Sequence, residues 1–567
     1  MNSIKERLQF LYPEEYEAVW MRTEQLIHDW KDRGTCSYPW VSYKDVLMIT
    51  YGDGIRRKGE PSLRVLKEFL DSRLQNSISA VHLLPMFPYT SDDGFSVTDF
   101  REIHPDLGDW EQIGELKEHY DLMFDAVVNH VSKSSRYFEG FLREDPRYRD
   151  FFIAADPAKD YSMVTRPRTL PLLTKFETAS GSKYIWTTFS GDQVDLNYKN
   201  PDVLLEVLDV LLLYASCGAR FIRFDAIGFA WKEEGTTCMH LTQTHELVKV
   251  MRQVLESCFP GCTVITETNV PHQDNIAYFG NGYDEAGLVY QFPLPPLTLY
   301  SYISGSAKQL SEWAASLEPT TEKTTYFNFL ASHDGIGMRP VEDLLAKEQR
   351  DQMVQAVLER GGQIGYRSLP DGSEMPYELN INYLDAVAGN EADPDVMVRK
   401  FLSSQCVLLS VVGMPAIYYH SLLGSRNCYR DYEESGIKRR INREKLDAEV
   451  LDAELGDERS LRARVLKGYQ EMIRIRREQK AFDPASPQEV LFLDERLFTL
   501  RRGQEEAVLV LINVSGDPVT VNTGCCGNEL FSAQKAGAVV TVPPYGYYWI
   551  QTEQEAWHEI CDCARFI

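Results

Sequence analysis

The sequence contains no long apolar stretch and no excess of basic residues. No segment approaches the roughly 20 consecutive apolar residues of a membrane-spanning helix, and the first residues, MNSIKERLQFLYPEEYE, lack the apolar core of a signal peptide. The 84 acidic residues outnumber the 59 basic ones, which gives a net charge of −25. Nucleic acids and anionic membranes are also negative and would be repelled. We therefore expect a cytoplasmic protein that binds small molecules, with neither nucleic acid nor membrane as partner.

Paired CxxC motifs, internal repeats and low-complexity tracts are also missing. The 11 cysteines include three close pairs, namely Cys258 with Cys262, Cys525 with Cys526, and Cys561 with Cys563. An odd number of cysteines cannot be fully paired within one chain. Reduced thiols of a cytosolic protein are the favoured interpretation. A thiol metal site at Cys561 and Cys563 is the weaker alternative.

Eight short apolar segments, by contrast, recur along the chain. They are DVLMIT (45–50), SAVHLLPM (79–86), DLMFDAVVNH (121–130), RFIRFDAI (220–227), CTVITETN (262–269), AGLVYQF (286–292), TTYFNFLASHD (324–334) and PAIYYH (415–420). Runs of β-branched and aromatic residues are typical of buried parallel strands. Helical segments such as PDVLLEVLDVLLLYASCG (201–218) lie between them. Because a (β/α)₈ barrel requires eight strands with intervening helices, we predict an α/β fold built on a TIM barrel.

Two insertions and two terminal segments complete the predicted organisation. Residues 131–199 and 335–400 are too long for one crossover, and such insertions usually form lids or small subdomains. Past about residue 483 the apolar pattern alternates, which predicts an antiparallel β domain. The predicted segments are a helical extension (1–44, with an amphipathic helix over 14–31), the barrel (45–130, 200–334 and 401–482), subdomains B (131–199) and B′ (335–400), and a C-terminal β domain (483–567).

Three acidic residues, Asp225, Glu267 and Asp334, each end one of the apolar runs. The ends of parallel strands meet at one mouth of a barrel, so these carboxylates are expected to converge there. Cleavage of an acetal needs a protonated leaving oxygen and a stabilised oxocarbenium-like carbon, and retaining enzymes place two carboxyl groups roughly 5 Å apart for this purpose. Three gathered carboxylates therefore indicate an enzyme that acts on sugars.

The neighbours of these acids suggest how they differ. Arg223 shares a strand face with Asp225 and would keep it ionised, which suits a nucleophile. Glu267 has no basic residue within five positions, so burial should raise its pKa, which suits a general acid. His130 and His333 are candidate ligands of sugar hydroxyls. A structural ion pair for Arg223 and a helix-cap asparagine with a satisfied histidine for DAVVNH are the alternatives.

Four segments in order resemble the signature regions of the α-amylase superfamily, glycoside hydrolase family 13. They are DAVVNH (125–130), GARFIRFDAIGF (218–229), VITETN (264–269) and FLASHD (329–334). The resemblance extends from about residue 45 onward. It implies Asp225 as nucleophile, Glu267 as acid/base and Asp334 as transition-state stabiliser. It also implies sugar-binding roles for His130, Arg223 and His333.

Longer segments resemble the sucrose phosphorylase-like branch, and within it the glucosylglycerate phosphorylases. Among them are HLLPMFPYTSDDGFSV (82–97), WTTFSGDQVDLNY (186–198), ITETNVPHQDNIAYFGNG (265–282) and RRINR (439–443). The resemblance implies that Asp92, Phe95, Phe189, Gln193 and Arg443 hold or border the glucosyl unit. Glycerate and phosphate are anions, so the acceptor side needs positive charge. Candidates by position are Lys133, Arg166, Arg168, Arg339 and Arg426.

The activity that this resemblance implies is reversible phosphorolysis of 2-O-α-D-glucosylglycerate with retention of configuration. Inorganic phosphate is then a co-substrate, and no metal or organic cofactor is required. Amylase-type enzymes often bind calcium near the position of Asn129, but the sequence offers no further ligand cluster. The alternatives are phosphorylases of sucrose, glucosylglycerol or sucrose 6-phosphate, then an α-glucosidase or transglucosidase, and last a non-catalytic scaffold. The sequence leaves open whether the protein is a monomer or a homodimer.

Overall fold

A computed structural model describes residues 3–33, 37–369 and 373–552. Eight parallel strands form a closed barrel in chain order, and the eighth pairs with the first. These strands are β1 (Leu47–Thr50), β2 (Ala80–Leu83), β3 (Asp121–Ala126), β4 (Ala219–Phe224), β5 (Thr263–Thr266), β6 (Leu288–Tyr290), β7 (Thr325–Asn328) and β8 (Met414–Tyr418). Each of the eight predicted segments overlaps one strand of the barrel, so the prediction of a (β/α)₈ barrel is confirmed.

The barrel strands are buried on both faces, which explains their continuous apolar runs. Every residue of β1, β4 and β7 is buried, because helices cover the outer face and side chains fill the interior. The helices of the N-terminal segment and the barrel are Ile4–Leu11, Tyr16–Lys31, Ser62–Phe69, Trp110–Lys117, Pro201–Ser216, Thr242–Cys258, His272–Ile276, Leu294–Ser304, Lys308–Ala315, Pro394–Ser410, Tyr419–Leu422, Tyr429–Ser435, Ala448–Gly456 and Leu461–Arg476. None of the helices in the described ranges combines the length and apolar character needed to cross a membrane.

The N-terminal segment contains one helix more than the sequence pattern predicted. The amphipathic helix expected over 14–31 runs from Tyr16 to Lys31, with Val19 and Trp30 buried. The unpredicted helix Ile4–Leu11 begins with a capping box, in which Ser3 accepts from the Glu6 N–H and the Glu6 side chain accepts from the Ser3 N–H. The Ser-x-x-Glu spacing is a recognised start signal that could have revealed this helix.

Both long insertions contain secondary structure of their own. After β3, the strand His130–Ser132 pairs antiparallel with Gln193–Asp195, and Leu173–Thr178 forms a hairpin with Gly181–Trp186. The helix Arg136–Leu142 lies between these strands in sequence. After β7, the order Ile336–Gly337, Glu374–Asn380, Gln363–Ser368 makes a three-stranded sheet, with helices Lys347–Glu359 and Tyr383–Ala388. Outside both insertions, Ile55–Arg56 pairs with Leu446–Asp447.

The C-terminal region forms two antiparallel sheets. Six strands, in the order Gln488–Val490, Leu497–Arg502, Val508–Asn513, Tyr547–Thr552, Gly527–Glu529 and Lys535–Ala536, make the larger sheet. Val519–Asn522 and Val539–Val542 make the smaller one. The apolar run 538–551 is thus divided between two sheets, because the prolines at 543 and 544 cannot donate to a ladder.

Two buried arginines, Arg476 of the last barrel helix and Arg502 of this region, donate to the barrel helix Pro394–Ser410. Arg476 donates from Nε to Leu409 O at 3.0 Å, and Arg502 donates from Nη1 to Ser410 O at 2.8 Å. The indole Nε1 of Trp549 donates to Ser410 Oγ at 2.9 Å. Three donors therefore converge on the carboxyl end of helix Pro394–Ser410, which leads into β8.

The boundaries of the five predicted segments stay predictions. Residues 1–2, 34–36, 370–372 and 553–567 lie outside the described residues. These ranges include the PDG turn predicted in the second insertion and the cysteines at 561 and 563.

Candidate active site

A cavity with about 750 Å³ of empty space, its open mouth included, holds the three predicted carboxylates. Asp225 directly follows β4, Glu267 directly follows β5, and Asp334 lies in the loop after β7. The carboxyl ends of parallel strands share one mouth of the barrel. The structure therefore brings together three acids that are far apart in sequence.

The guanidinium group of Arg223 contacts two of these acids, Asp225 and Glu267. Its Nη1 is 2.9 Å from Asp225 Oδ1 and also bonds to Asp125, while its Nη2 is 3.9 Å from Glu267 Oε2. Asp125 also bonds to His82 Nε2 at 2.6 Å. Burial acts to raise the pKa of Asp125, but Arg223 and His82 lower it to about 2. Asp125, which was not among the predicted site residues, thus pairs with Arg223 as an ionised carboxylate.

The pKa of Asp225 is raised, although Arg223, which was expected to keep this acid ionised, acts to lower it. Burial is the largest cause, and the charges of Asp125 and Asp334 add to it, while Arg223 opposes the shift. Arg223 divides its charge among several carboxylates and does not offset the whole loss of water, and the ionised state of Asp225 stays a prediction. Proximity of Asp225 to Arg223, by contrast, is as predicted.

The pKa of Glu267 is raised to about 7, in the predicted direction. Burial is the main cause, the charges of Asp225 and Asp334 add to it, and Arg223 together with the Ala226 N–H opposes it. The Ala226 N–H donates to Glu267 Oε2 at 3.0 Å. Ala226 has a left-handed backbone with φ 49°, a conformation that L-residues rarely adopt. This strained turn directs its N–H at Glu267.

Asp334 is surrounded by positive charge instead. Its Oδ1 is 2.5 Å from Arg439 Nη1 and 3.7 Å from Arg443 Nη2. Burial acts to raise the pKa of Asp334, but these two arginines, with smaller contributions from Arg223 and Arg168, lower it. The three carboxyl groups therefore differ: Asp334 stays ionised, while Glu267 holds its proton to about neutral pH.

Six of the eight residues predicted to bind the sugar form a wall of the cavity. Asp92, Phe95, His130, Phe189, Gln193 and His333 all line it. The ring of Phe95 stacks on His333, with centroids 4.5 Å apart and planes 6° apart. The carbonyl oxygen of Phe95 accepts from Gln193 Nε2 at 3.1 Å and lies 2.9 Å from His130 Nε2. Arg223 and Arg443 are buried beneath this wall, and Arg443 Nε donates to His333 O at 2.7 Å.

Two of the five predicted acceptor residues, Arg168 and Arg339, line the cavity. Within the described residues, neither has a carboxylate partner within 4 Å and neither donates a side-chain hydrogen bond. Burial lowers the pKa of Arg339, as expected for a cation removed from water without a partner. Two unpaired cations in one cavity are a ready site for an anion.

The other three predicted acceptor residues do not line the cavity. Lys133 is exposed and Arg166 is half-buried. Arg426 is paired with Asp385 and is about half exposed. Closeness in sequence to the cavity residues did not determine where these side chains point.

Several cavity residues were not picked out from the sequence. They are Pro167, Ala226, Gly228, Phe229, Met239, Thr268, Asn269, Tyr377 and Arg439. Arg439 stands in the quoted RRINR segment, of which only the last arginine was chosen. It donates from Nε and Nη2 to Glu378 at 3.0 and 2.8 Å, as well as contacting Asp334. Tyr377 belongs to a strand of the second insertion for which no motif was recognised.

The position near Asn129, where amylase-type enzymes often bind calcium, is filled by the ammonium group of Lys232. Its Nζ donates to Asn129 Oδ1 at 2.8 Å and is 2.7 Å from Asp195 Oδ2. All three side chains are buried. In the described part of the chain, no group of three or more His, Cys, Asp or Glu side chains is arranged to hold a metal ion. A divalent ion does not fit between oxygens that already bind an ammonium.

We expect Lys232→Met to lower the free energy of unfolding by about 3–5 kcal/mol, because it leaves Asp195 buried without its cation. The measurement is urea denaturation of the variant and the parent. Lys199→Met is the matched control, since Lys199 pairs with Glu233 at 2.7 Å with both side chains about half exposed and should change stability by less than about 1 kcal/mol. Equal stability of the parent and Lys232→Met would contradict the role given to this ammonium.

Comparison with known proteins places this site in a family context. Residues 73–359 match the family described as alpha amylase, catalytic domain. The glucosylglycerate phosphorylase of Allomeiothermus silvanus is 47% identical over 97% of this chain and 98% of that protein. That of Escherichia coli is 42% identical over 89% of this chain and 92% of that protein. The crystal structure of sucrose 6F-phosphate phosphorylase from Thermoanaerobacter thermosaccharolyticum superposes with a TM-score of 0.73 at 23% identity, covering 85% of this chain and 95% of that one. This last similarity shows a shared fold.

Proposed function

This chain belongs to the α-amylase family, and from that premise we propose that it is a retaining glucoside phosphorylase. The proposed reaction converts 2-O-α-D-glucosylglycerate and phosphate into α-D-glucose 1-phosphate and D-glycerate, reversibly. Similarity to glucosylglycerate phosphorylases over nearly the whole chain supports the choice of substrate. The observation that carries the proposal is the meeting of three carboxylates and two unpaired arginines in one cavity.

The first step forms a covalent glucosyl-enzyme. A carboxylate oxygen of Asp225 attacks the anomeric carbon, the bond from that carbon to the glycerate oxygen breaks, and Glu267 gives its proton to the departing oxygen. A pKa of about 7 leaves about half of the Glu267 side chains protonated at neutral pH, so Glu267 can act as the acid. Asp334 remains ionised and stabilises the positive charge that develops on the sugar ring.

The second step releases the sugar to phosphate. Glu267, now ionised, takes a proton from phosphate while a phosphate oxygen attacks the anomeric carbon, and the ester bond to Asp225 breaks. Two inversions give α-D-glucose 1-phosphate with retained configuration. Arg168 and Arg339 bind first the carboxylate of glycerate and then phosphate, because both anions occupy the same side of the glucosyl unit.

Phosphate has to outcompete water, and both insertions contribute to this. Pro167, Arg168, Phe189 and Gln193 come from the first insertion, and Arg339 and Tyr377 come from the second. Closing a site with such segments excludes water and strengthens the electrostatic interactions inside it. The insertions thus supply both the positive charge that binds the anion and the segments that exclude water from the cavity. Neither step needs a metal or an organic cofactor.

One assay tests the proposed function. The purified protein is incubated with phosphate and, separately, with glucosylglycerate, sucrose, sucrose 6-phosphate and glucosylglycerol, and α-D-glucose 1-phosphate is followed. Of the four donors, we expect only glucosylglycerate to give fast, phosphate-dependent formation of α-D-glucose 1-phosphate. A preference for another donor would mean that this donor, and not glucosylglycerate, is the substrate. Release of glucose that does not depend on phosphate would indicate a hydrolase. No turnover of any donor would support a scaffold.

We expect Arg168→Gln and Arg339→Gln each to lower kcat/KM for phosphate by about 10- to 100-fold. Each removes a charge-assisted hydrogen bond to an anion, worth about 1.5–3 kcal/mol. Release of free glucose should rise in parallel, since water then competes better for the glucosyl-enzyme. Steady-state rates at varied phosphate, with glucose and glucose 1-phosphate measured together, give both quantities.

Lys133→Gln and Arg426→Gln are the matched controls, because they remove the same charge outside the cavity. They should change kcat/KM for phosphate by less than about twofold. Equal effects of all four substitutions would mean that overall charge, rather than a defined anion site, attracts phosphate.

A further inference from the structure

The turn that carries Asp92 into the cavity has an unusual backbone. Asp92 and Asp93 have φ of 52° and 48°, and Gly94 has φ of 114°. Two successive non-glycine residues in the left-handed region cost free energy, and such strain persists only where the surroundings enforce it. A Cβ on Gly94 would lie 2.8 Å from the carbonyl oxygen of Pro85, so only glycine fits there.

Two ion pairs made by Asp93 hold this turn in place. Its Oδ1 is 2.8 Å from Arg440 Nη2, and its Oδ2 is 2.8 Å from Arg443 Nη1. The Asp93 side chain is only 11% exposed and that of Arg443 only 1%. Charged hydrogen bonds in so dry an environment are costly to break. We call these two ion pairs of Asp93, with Arg440 and Arg443, the clamp. The clamp joins the loop after β2 to the segment 438–442 and to Arg443, which follows it.

The clamped turn positions much of the glucosyl side. Asp92 lines the cavity, and Arg443 Nη1 is 3.6 Å from its Oδ1. Phe95, directly after the turn, stacks on His333 and meets His130 with its carbonyl oxygen. A shift of the turn would consequently displace several sugar-facing groups at once.

We propose that Asp93 is a positioning residue for the glucosyl pocket. Its two arginine pairs hold the strained turn so that Asp92 faces the cavity and the Phe95 carbonyl group holds Gln193 and His130 in place, although Asp93 itself does not line the cavity. This inference rests on the proposed function for the identity of the sugar. To the residues that line the pocket it adds Asp93, which acts on the sugar only through its neighbours.

Three substitutions separate the charge of Asp93 from the strain of its backbone. Asn tolerates the left-handed region and keeps the shape of Asp without its charge, Gly removes the strain together with the side chain, and Ala keeps the strain without the ion pairs. If the clamp positions the pocket, Asp93→Asn and Asp93→Gly both raise KM for glucosylglycerate by about 10- to 100-fold, and Asp93→Ala raises it at least as much. KM for phosphate should change by less than about threefold, because Arg168 and Arg339 do not contact the clamp.

Two further variants complete the series. Arg440→Gln breaks the more exposed of the two pairs and should have a smaller effect in the same direction. Asp106→Asn, a neutralised carboxylate whose side chain is 90% exposed, serves as the control and should match the parent.

Binding of D-glucose, measured by calorimetry, tests the inference without turnover. In an Asp225→Asn background, Asp93→Asn should weaken glucose binding by about tenfold or more, and Asp106→Asn should not. Unchanged glucose binding and unchanged KM would overturn the inference, whatever the substrate. A parent that fails to phosphorolyse glucosylglycerate yet loses glucose affinity on Asp93→Asn would overturn the proposed substrate and leave the inference standing. If Asp93→Asn does not fold, Arg440→Gln gives the same comparison, and an unchanged KM there counts against the clamp.

Discussion

Asp225→Asn is expected to lower the rate of α-D-glucose 1-phosphate formation by about 10⁴-fold or more, because an amide cannot form the glycosyl ester. The substitution keeps the size of the side chain and removes one of three clustered negative charges, so the fold should be as stable as that of the parent or more so. Activity is measured with glucosylglycerate and phosphate at saturating concentrations, beside the thermal midpoint of each protein.

A trapping experiment provides the control for this prediction. Rapid acid quenching of the parent with glucosylglycerate, in the absence of phosphate, should leave a glucosyl group on the peptide that contains Asp225. The Asp225→Asn variant should carry none. A variant that retains more than about a tenth of the parental activity, or a glucosyl group found on another peptide, would refute the assignment of the nucleophile.

Glu267→Gln is expected to lower kcat/KM for glucosylglycerate by about 10²- to 10⁴-fold, the usual range for loss of a general acid. The glycerate oxygen is a poor leaving group and needs the proton that Glu267 supplies. Fluoride leaves α-D-glucosyl fluoride without protonation, so formation of the glucosyl-enzyme from this donor should be affected far less. An equal loss with both donors would indicate that Glu267 does not act as the acid.

The pH dependence of the parent follows from the same residue. Glu267 has a pKa raised to about 7, chiefly by burial, and only its protonated form assists departure of glycerate. kcat/KM for glucosylglycerate should therefore fall as pH rises through about 7, since this parameter reports the free enzyme. At the acid end it should fall as Asp225 becomes protonated. With Glu267→Gln and glucosyl fluoride the alkaline decline should disappear, and its persistence would point to another titrating group.

The barrel and the glucosyl side could be predicted because their signals are local. Each strand is a short apolar run, and Asp225 and Glu267 stand directly at the ends of two of them. Parallel strands share one mouth, so the position of each acid along its own strand was enough to bring them together. The family resemblance then added Asp92, Phe95, Phe189 and Gln193, which line the same cavity.

The acceptor side and two further parts of the site, Arg439 and the turn held by Asp93, depend on contacts that no local pattern encodes. Arg426 was a candidate by its position in the sequence, yet its charge is taken by Asp385, which is 41 residues away in sequence. Arg439 enters the cavity because Glu378 of the second insertion orients it. Asp93 meets Arg443 across 350 residues. Loops of this length follow paths set by tertiary pairing, which the spacing of apolar residues does not reveal.

The buried donors at the carboxyl end of helix Pro394–Ser410 have a consequence for the order in which parts of the protein form their hydrogen bonds during synthesis. The last carbonyl groups of a helix lack partners within it and carry partial negative charge. Here Arg502 and Trp549, from the final sheet, supply donors to the residue that ends this helix. During synthesis, Ser410 therefore gains these two donors only from chain that is made long after it. Truncating the protein after the barrel would remove those donors and leave the buried carbonyl group of Ser410 without the Arg502 guanidinium.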